Sequence, residues 1–342
     1  MTRPTDPELG AIVGERRRLT NLAYRLLGSL ADAEDVVQET YARWYALSPR
    51  QQEAVESPGG WLTTVAGRIC LDLLGSARVR RERYVGEWLP EPLPDRTQWI
   101  SGRPLGGGGD ASDPADPADR VTLDESVGMA FLVMLEAMTP AERVAFILHD
   151  VFRYPFADVA EIVGRTPAAC RQLASSARRR IRTDAGGSRR DGRTGRRGRT
   201  GQAGQAGQAG GAGRTGLPGR TGGTAADTVR AFKLAWEARD IGALLGVLAP
   251  DVTATGDGGG VVSAALHPVR GAEPVARFFA ARAAALPAVT LVECAVNGQP
   301  GLAALADGVT VSVMAFDVTD DGRIQRVWAV LNPEKLRPWA AG

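Results

Sequence analysis

Residues Phe156 to Arg182 read FADVAEIVGRTPAACRQLASSARRRIR, which predicts two short helices joined by a tight turn. Gly164 suits the end of the first helix, and Thr166 and Pro167 suit the N-cap and first position of the second. The second helix has an apolar stripe formed by Cys170, Leu173, Ala174, Ala177 and Ile181. Its opposite face carries Arg171, Gln172, Ser175, Arg178, Arg179 and Arg182. This pattern is typical of a DNA-binding helix-turn-helix, although a helical hairpin with a solvated basic face has the same pattern.

The charge of the chain is nearly balanced overall but uneven along its length. Of 342 residues, 41 are Lys or Arg and 39 are Asp or Glu, which gives a net charge of +2. Only Lys233 and Lys335 are lysines, and the arginines cluster between Arg165 and Arg220. Arginine binds phosphate and guanine through two parallel hydrogen bonds, so the cluster favours a nucleic-acid partner. The length allows two or three domains.

Cysteine and histidine are too sparse for a metal centre or a disulfide framework. Cys70, Cys170 and Cys294 form no CxxC pair, and the only histidines are His149 and His267. We therefore expect no metal and no cofactor. The N-terminus lacks the apolar segment of a signal peptide and no run reaches membrane-spanning length, so we expect a cytoplasmic protein without membrane contact.

The first part of the chain, residues 11–82, is predicted to be almost entirely helical. One amphipathic helix exposes an acidic face formed by Asp32, Asp35 and Glu39. Such a face is usually solvated, but it also suits a basic partner. A later helix starts at Trp61 and ends in arginines, which suits the binding of unpaired bases, although Trp61 fits a core position as well.

Two segments separate the predicted domains. Residues 85–124 form a linker rich in Pro and Gly, with an apolar island at Trp88-Leu89-Pro90-Glu91-Pro92 and an acidic repeat at Asp110, Asp113, Asp116 and Asp119. The island predicts an extended segment that docks on some other surface, which the residues alone do not identify. Residues 185–223 are repeats of Gly, Arg, Thr, Gln and Ala that cannot bury a core, which predicts a flexible tether.

The C-terminal domain is predicted to be an α+β cone in which helices cover a curved antiparallel sheet. We expect helices over Thr228–Leu248 and Glu273–Leu286. Strands are expected near Val252–Thr255, Val289–Val296, Val309–Val318 and Arg323–Leu331, with a hairpin turn at Asp320-Asp321-Gly322. Within the third of these strands, Val309, Val311, Val313 and Ala315 alternate with Thr310, Ser312 and Met314.

In this order the segments resemble an extracytoplasmic-function (ECF) sigma factor of the sigma-70 family, in the subgroup with a fused C-terminal SnoaL-like domain. Leu19–Tyr45 and Pro58–Arg83 resemble region 2, and Leu135–Ile181 resembles region 4. The resemblance implies a multidomain fold, in which two all-α sigma domains, the region 2 helical bundle and the region 4 helix-turn-helix, precede an α+β cone-shaped SnoaL-like domain. The implied boundaries are 1–84 for region 2, 85–124 for the linker, 125–184 for region 4, 185–223 for the tether and 224–342 for the SnoaL-like domain.

The resemblance also implies a function and its partners. A sigma factor directs transcription initiation by binding core RNA polymerase, at the β′ clamp helices and the β flap, and by binding promoter DNA as duplex and as single strand. The implied polymerase-binding residues are Asp32, Asp35, Gln38 and Glu39. Those for the unpaired −10 strand are Trp61, Thr63, Thr64, Arg68, Arg78, Arg80 and Arg81. Those for the −35 duplex are Arg165, Thr166, Arg171, Gln172, Ser175, Arg178 and Arg179. No catalytic residue is implied, and we expect a protein that is not an enzyme.

Two motifs of the resemblance are implicated in regulation in cis. They are Trp88-Leu89-Pro90-Glu91-Pro92 in the linker and Asn332-Pro333-Glu334-Lys335-Leu336 near the end of the chain. We predict that the C-terminal domain packs on the Trp88 segment and on region 2, and thereby fixes the spacing between regions 2 and 4. His149 falls within the region 4 pattern and is expected to be structural.

The alternative hypothesis is a DNA-binding regulator whose C-terminal pocket senses a small molecule or retains isomerase or hydrolase activity. Its candidate polar groups are Asp257, His267, Asp317 and Trp328. A catalytic acid–base pair must converge within hydrogen-bond reach, and the sequence shows no compelling pair. A small-molecule sensor is therefore favoured over an enzyme, and a purely structural pocket over both.

Overall fold

The computed structural model describes residues 6–81, 84–94, 128–190, 224–286 and 288–340. Side chains are described within these ranges except at 6–14, 77–81 and 183–190. The acidic repeat predicted for the linker and residues 191–223 of the predicted tether lie outside the described residues.

A helical bundle forms the first part of the chain. Its helices are α1 Asp6–Leu27, α2 Leu30–Tyr45, α3 Pro49–Glu53 and α4 Pro58–Arg81. The Ser29 hydroxyl caps α2 by accepting the Asp32 N–H at 3.2 Å. Val36, Val37 and Thr40 of α2 are buried. The predicted helical character is therefore confirmed, and the acidic residues of α2 are left on the opposite face.

The second helical part contains the helix-turn-helix. Its helices are α5 Met129–Glu136, α6 Pro140–Phe146, α7 Phe156–Val163 and α8 Pro167–Arg190, with a π-helical turn at Ile147–Val151. Gly164 ends α7 with a positive φ of 67°, a backbone conformation that glycine adopts without strain. The Thr166 hydroxyl accepts the Ala169 N–H at 3.2 Å. The two helices and their turn, predicted from these residues, are confirmed.

Helix α8 extends beyond its predicted end. It continues to Arg190, so the prediction of a flexible tether beginning at residue 185 was wrong for residues 185–190. An existing helix lengthens without forming a new nucleus, which lets it run into a sequence of poor helix propensity. His149 has the expected structural role, since its Nδ1 lies 2.9 Å from the Tyr154 carbonyl oxygen and its ring stacks on Phe156.

The C-terminal domain packs helices on one six-stranded sheet. The helices are α9 Ala225–Glu237, α10 Ile241–Val247 and α11 Ala272–Ala285. The strands are β1 Leu248–Asp257, β2 Val269–Arg270, β3 Val289–Val296, β4 Gln299–Ala306, β5 Val309–Val318 and β6 Ile324–Val330. Their order is β2-β1-β6-β5-β4-β3, and β1 and β6 are parallel whereas the other neighbours are antiparallel. The predicted α+β architecture is confirmed.

The parallel pairing of β1 with β6 differs from the antiparallel sheet that was predicted, and β2 was not predicted. Three further details of this domain also differ from the prediction. The helix expected over Thr228–Leu248 is two helices, because Arg239 takes a left-handed conformation with φ of 56° and Asp240 caps the second helix. Strand β4 was not predicted, since its sequence QPGLAALA has no β-branched residue. The predicted alternation of side chains along β5 also changes phase. The register between β4 and β5 shifts between Ala304 and Leu305, so Val311 has no paired residue on β4.

The residues that the structure describes form three hydrophobic cores. One is continuous through both helical parts and includes residues of α1, α2, α4, α6, α7 and α8. The second fills the space between the sheet and helices α9 to α11. The third joins the linker, the second helical part and the C-terminal domain, since Leu89 of the linker and Met129 of α5 pack on Val313 and Trp328 of the sheet. The C-terminal domain is thus held against the linker and the second helical part by apolar contacts.

Candidate functional site

The residues predicted to bind polymerase lie together on the outer face of α2. Asp35, Gln38 and Glu39 are exposed, and Asp32 is half-buried. Glu39 forms an ion pair with Arg43 at 2.8 Å, with both side chains about half exposed. The face therefore presents carboxylates that a basic surface can reach.

The residues predicted for the −35 duplex lie at the turn and along the outer face of α8. Arg165, Thr166, Arg171, Gln172, Ser175 and Arg179 are exposed. Arg178 differs, because its guanidinium donates to both carboxylate oxygens of Asp150, at 2.7 and 3.1 Å. Two parallel bonds fix the orientation of that guanidinium, so Arg178 ties α8 to the π-helical turn in this arrangement.

The residues predicted for the −10 strand lie on α4, beneath the helix-turn-helix. Trp61 is half-buried and packs edge-on against Trp44 at 5.2 Å between ring centroids. Thr63 is buried, its hydroxyl 2.9 Å from the Tyr154 hydroxyl, whereas Thr64 is half-buried. Arg68 is exposed but donates to the Glu161 carbonyl at 3.0 Å. Arg78, Arg80 and Arg81, also predicted for this strand, belong to α4, but their side chains are not among those that the structure describes.

Tyr154 and Ile162 bring the two helical parts into close contact. The Tyr154 hydroxyl bonds Thr63 and also accepts from Arg18 of α1. A Cβ placed on Gly67 of α4 would lie 2.7 Å from Cγ2 of Ile162, a distance that requires a neighbour to move. The face of α4 that carries Thr63 and Arg68 is therefore covered by α7 in this conformation, which we term the closed arrangement.

The two motifs of the linker and the C-terminus meet around one buried carboxylate. Asp257, at the end of β1, is fully buried and lies 2.6 Å from the Lys335 ammonium. Its carboxylate also accepts the Leu89 N–H at 2.9 Å and the Tyr84 hydroxyl at 2.6 Å. Asn332 donates to the Tyr84 hydroxyl at 2.9 Å. We name Tyr84, Trp88, Leu89, Asp257, Asn332 and Lys335 the Asp257 cluster.

Lys335 contacts both motifs at once. Its ammonium donates to the Leu89 carbonyl at 2.5 Å and lies 4.2 Å from the centre of the Trp88 ring. The Lys335 side chain is only 12% exposed. A cation over an aromatic face gains about 2 kcal/mol or more where water is excluded. The ammonium is thus paired with a carboxylate, a carbonyl and a π-face, which satisfies its charge in a buried position.

The linker also contacts the helical bundle through Glu91. The Glu91 carboxylate accepts the Leu30 N–H at 2.7 Å, at the start of α2, and the Glu91 N–H donates to the Gly28 carbonyl at 2.8 Å. The Tyr24 hydroxyl donates to the Glu91 carbonyl at 2.7 Å. The Trp88–Pro92 segment therefore lies between the C-terminal domain and the helix that carries the acidic face.

Several residues of this contact were not predicted from the sequence. Asn297 accepts the Leu93 N–H at 3.0 Å and donates to the Tyr24 hydroxyl at 2.8 Å. The indole N–H of Trp339 donates to the Pro92 carbonyl at 2.8 Å. Asn297 precedes Gly298 and both have positive φ, so the pair has the pattern of a hairpin turn and gives no sign of a partner.

The sheet encloses a cavity of about 570 Å³ on the face that the helices cover. It is mostly apolar, and its lining includes Phe278, Phe279, Leu291, Met314 and Val327. Asp257, His267, Asp317 and Trp328, the polar candidates named from the sequence, do not line it. The selection of those four residues was therefore wrong. Trp328 points away because it alternates along β6 with Val327 and Ala329, which do line the cavity.

Glu91 gives the linker contact a predicted pH dependence. Burial raises the pKa of its carboxyl to about 7, partly offset by the Leu30 N–H and the Lys335 charge, whereas Asp32 and Glu34 raise it further. The docked carboxyl therefore binds a proton that the exposed group releases near its ordinary pKa of 4.5. The contribution of Glu91 to docking of the linker on the helical bundle is therefore fully present below about pH 4.5. It weakens as the pH rises to about 7.

Replacing Glu91 with Gln is expected to flatten this dependence, because an amide does not titrate. Unfolding midpoints in urea, measured from pH 5 to 8, should fall with rising pH for the native chain and stay closer to level for the variant. Glu87→Gln, on the same segment, is the control and should keep the native slope. Equal slopes for the native chain and Glu91→Gln would contradict the assignment.

Comparison with known proteins matches the architecture part by part. The sigma-70 region 2 model matches residues 12–80, and the sigma-70 region 4 model matches residues 128–181. The chain is 34% identical over 335 residues to the ECF RNA polymerase sigma factor SigJ of Mycobacterium tuberculosis, covering 94% of this chain and 90% of that protein. It is 33% identical over 338 residues to the probable ECF RNA polymerase sigma factor SigI of the same species, covering 98% of this chain and 97% of that protein.

A solved structure extends the match to three dimensions. The crystal structure of M. tuberculosis SigJ superposes with a TM-score of 0.65 at 31% identity, covering 96% of this chain and 98% of that chain. The two helical parts are thus sigma-70 regions 2 and 4. With the near full-length similarity, they show that the chain belongs to the extracytoplasmic-function sigma factors.

Among the residues that the structure describes, none of the helices is long and apolar enough to cross a membrane. The same residues contain no group of three or more His, Cys, Asp and Glu side chains placed to hold a metal ion.

Proposed function

We propose that the chain binds core RNA polymerase through the acidic face of α2 and directs it to promoters, and that its C-terminal domain regulates this activity in cis. The exposed carboxylates of Asp35 and Glu39 support the polymerase site, because they can pair with the basic side chains of a partner. The exposed arginines and Gln172 of α8 support reading of the −35 duplex in the major groove.

The closed arrangement supports the regulatory part of the proposal. Thr63 and Arg68 bond groups of region 4, so a −10 strand can reach that face of α4 only after α7 moves away. Flipped bases need open pockets and stacking surfaces. The closed arrangement is therefore a resting state, and promoter binding requires regions 2 and 4 to separate.

One observation carries the proposal that the C-terminal domain holds this resting state. Lys335 bonds Asp257 of its own domain and the Leu89 carbonyl of the linker, while it lies over Trp88. The linker in turn bonds the start of α2 through Glu91. The sheet also packs on Met129 of region 4. Because the domain grips region 2, the linker and region 4 together, its release favours their separation.

Reversing charge on α2 tests the polymerase site. Asp35→Arg and Glu39→Arg are each expected to weaken binding to core polymerase about tenfold or more, since like charges facing each other across an interface cost several kcal/mol. Affinity is measured with immobilised core polymerase and the full chain.

Glu53→Arg is the matched control, because Glu53 is an exposed carboxylate on α3, outside this face. It should leave the affinity within about twofold of the native value, as expected for a surface charge away from the contact. Equal affinities for all three variants would contradict the proposed site.

A further inference from the structure

The cavity of the C-terminal domain has the dimensions and lining of a small-molecule site. Its volume of about 570 Å³ lies within the range of about 300–1,000 Å³ that drug-sized ligands occupy. Protein interiors are otherwise close-packed, so an apolar space of this size forfeits the dispersion contacts that a filled core would make. The side chains lining its interior are suited to the apolar part of a small-molecule ligand.

The mouth of the cavity is apolar and carries two arginines. Val262, Leu286 and Val311 line it and are each more than a third exposed. Arg239 and Arg282 also line the cavity, and because Arg239 is exposed and Arg282 is half-buried, we place both at its opening. The Arg282 guanidinium donates to the Ser263 carbonyl at 3.1 Å, which accounts for only part of its donor capacity.

The charges around the opening favour an acidic group. Glu237 is the acidic lining residue, and it pairs with Lys233 at 3.7 Å. Among the described residues, the Arg239 guanidinium has no ion pair. Arginine binds carboxylates and related anions through planar, paired hydrogen bonds. An apolar molecule with one acidic group would therefore place its body inside and its charge at the arginines.

One loop joins this cavity to the Asp257 cluster. Ala254, Thr255 and Gly256 line the cavity immediately before Asp257, and Val262 to Ala265 form part of its wall. Between them, a Cβ on Gly259 would lie 2.6 Å from Asn332, and a Cβ on Gly260 would lie 3.1 Å from Val85 of the linker. The same loop therefore packs on the cluster at one end and encloses the cavity at the other.

A second chain segment makes the same connection. Leu331 lines the cavity and is followed by Asn332, and the N–H groups of both residues donate to the Asp257 carbonyl. A molecule that stabilises this wall favours the conformation in which the cluster is assembled. A ligand shifts an equilibrium only by its different affinity for the two states, and the shared wall supplies that difference.

We propose that this cavity binds an apolar small molecule bearing an acidic group, and that its occupancy is coupled to the Asp257 cluster through the loop 258–265. The coupling rests on the proposed regulatory role of that cluster, whereas the binding site does not. By reciprocity, opening the cluster must change the affinity of the ligand by the same factor by which the ligand stabilises the cluster.

Fluorescence titration of the full chain with two dyes tests the site. Anilinonaphthalenesulfonate is apolar and anionic, and N-phenylnaphthylamine has nearly the same body without the charge. The anionic dye is expected to bind more tightly, and Arg282→Met should remove that preference. Equal affinity of the native chain for both dyes would overturn the acidic class of ligand.

Two filling variants locate the dye. Ala283→Phe projects into the cavity from α11 and Ala264→Phe from the loop, and both positions are half-buried. Each should lower the affinity for the anionic dye about tenfold or more while thermal unfolding shows a folded chain. If one variant does not fold, the other still tests the site. Unchanged binding in either folded variant would overturn the site.

The coupling has a separate readout. Lys335→Met should weaken binding of the anionic dye about fivefold or more, in the range of typical coupling energies. Arg337→Met is the control, since Arg337 is 76% exposed and pairs only loosely, at 4.0 Å, with Glu334. Normal dye binding in Lys335→Met would overturn the coupling but leave the site. If the dye fails to bind while Lys335→Met still alters transcription, the ligand proposal fails and the regulatory proposal stands.

Discussion

Replacing Asp257 with Asn is expected to destabilise the docked C-terminal domain by about 3–5 kcal/mol, the usual effect of breaking a buried ion pair at one partner. The substitution keeps the shape of the side chain but leaves the Lys335 ammonium buried without its carboxylate, 2.6 Å away in the native chain. It also weakens the acceptor for the Leu89 N–H and the Tyr84 hydroxyl. Urea unfolding of the full chain, followed by tryptophan fluorescence, measures the loss.

A second substitution separates the ion pair from the other bonds of the cluster. Asp257→Asn with Lys335→Met removes both charges, so the double variant should be more stable than Asp257→Asn alone. Glu334→Gln supplies the control, because Glu334 is 80% exposed and such pairs contribute little. Additive effects of the two substitutions would contradict a coupled pair at Lys335.

Replacing Gly67 with Leu is expected to open the closed arrangement. The new side chain would collide with Ile162, because even a Cβ would lie 2.7 Å from its Cγ2. Overpacking of this kind costs about 1–3 kcal/mol. That cost corresponds to a shift of roughly fivefold to 150-fold toward separated regions 2 and 4. The substitution does not harm α4 itself, since Leu is a better helix former than Gly by about 1 kcal/mol.

The separation is measurable as a distance between spin labels. Exposed Glu53 of α3 and exposed Ser175 of α8 are suitable label positions, with Cys294 replaced by Ser. Gly75→Leu is a matched control on the same helix, because a Cβ there meets nothing within 4 Å. The distance distribution should broaden to longer values in Gly67→Leu only. Identical distributions in both variants would show that the contact with Ile162 does not hold the two regions together.

Local sequence signals were sufficient to predict the main features of the two sigma regions. Gly164, Thr166 and Pro167 each have a backbone preference that acts within a few residues, so the turn between α7 and α8 could be predicted from them. The acidic face of α2 followed from helical periodicity alone. The two motifs that meet at Lys335 could be named only because they resemble a known subgroup, since neither has a periodic pattern of its own.

The packing between domains could not be predicted in the same way. Thr63 is a polar residue at a helix start, and its burial depends on Tyr154, 91 positions away along the chain. Strand β4 is Ala-rich and forms a strand because β3 and β5 pair with both of its edges. Asp257 was assigned to the cavity but faces the linker. Its orientation depends on which residues of β1 the pleat turns outward, and the sequence does not reveal this.

We propose that contacts of Lys335 hold the sigma regions in a resting arrangement, and run-off transcription tests this role most directly. Core RNA polymerase is combined with limiting amounts of the full chain, of Lys335→Met or of Arg337→Met on a selected promoter. We predict that Lys335→Met raises the yield of the specific transcript about fivefold or more, whereas Arg337→Met matches the native chain. Equal or lower yield from a folded Lys335→Met variant would contradict the claim.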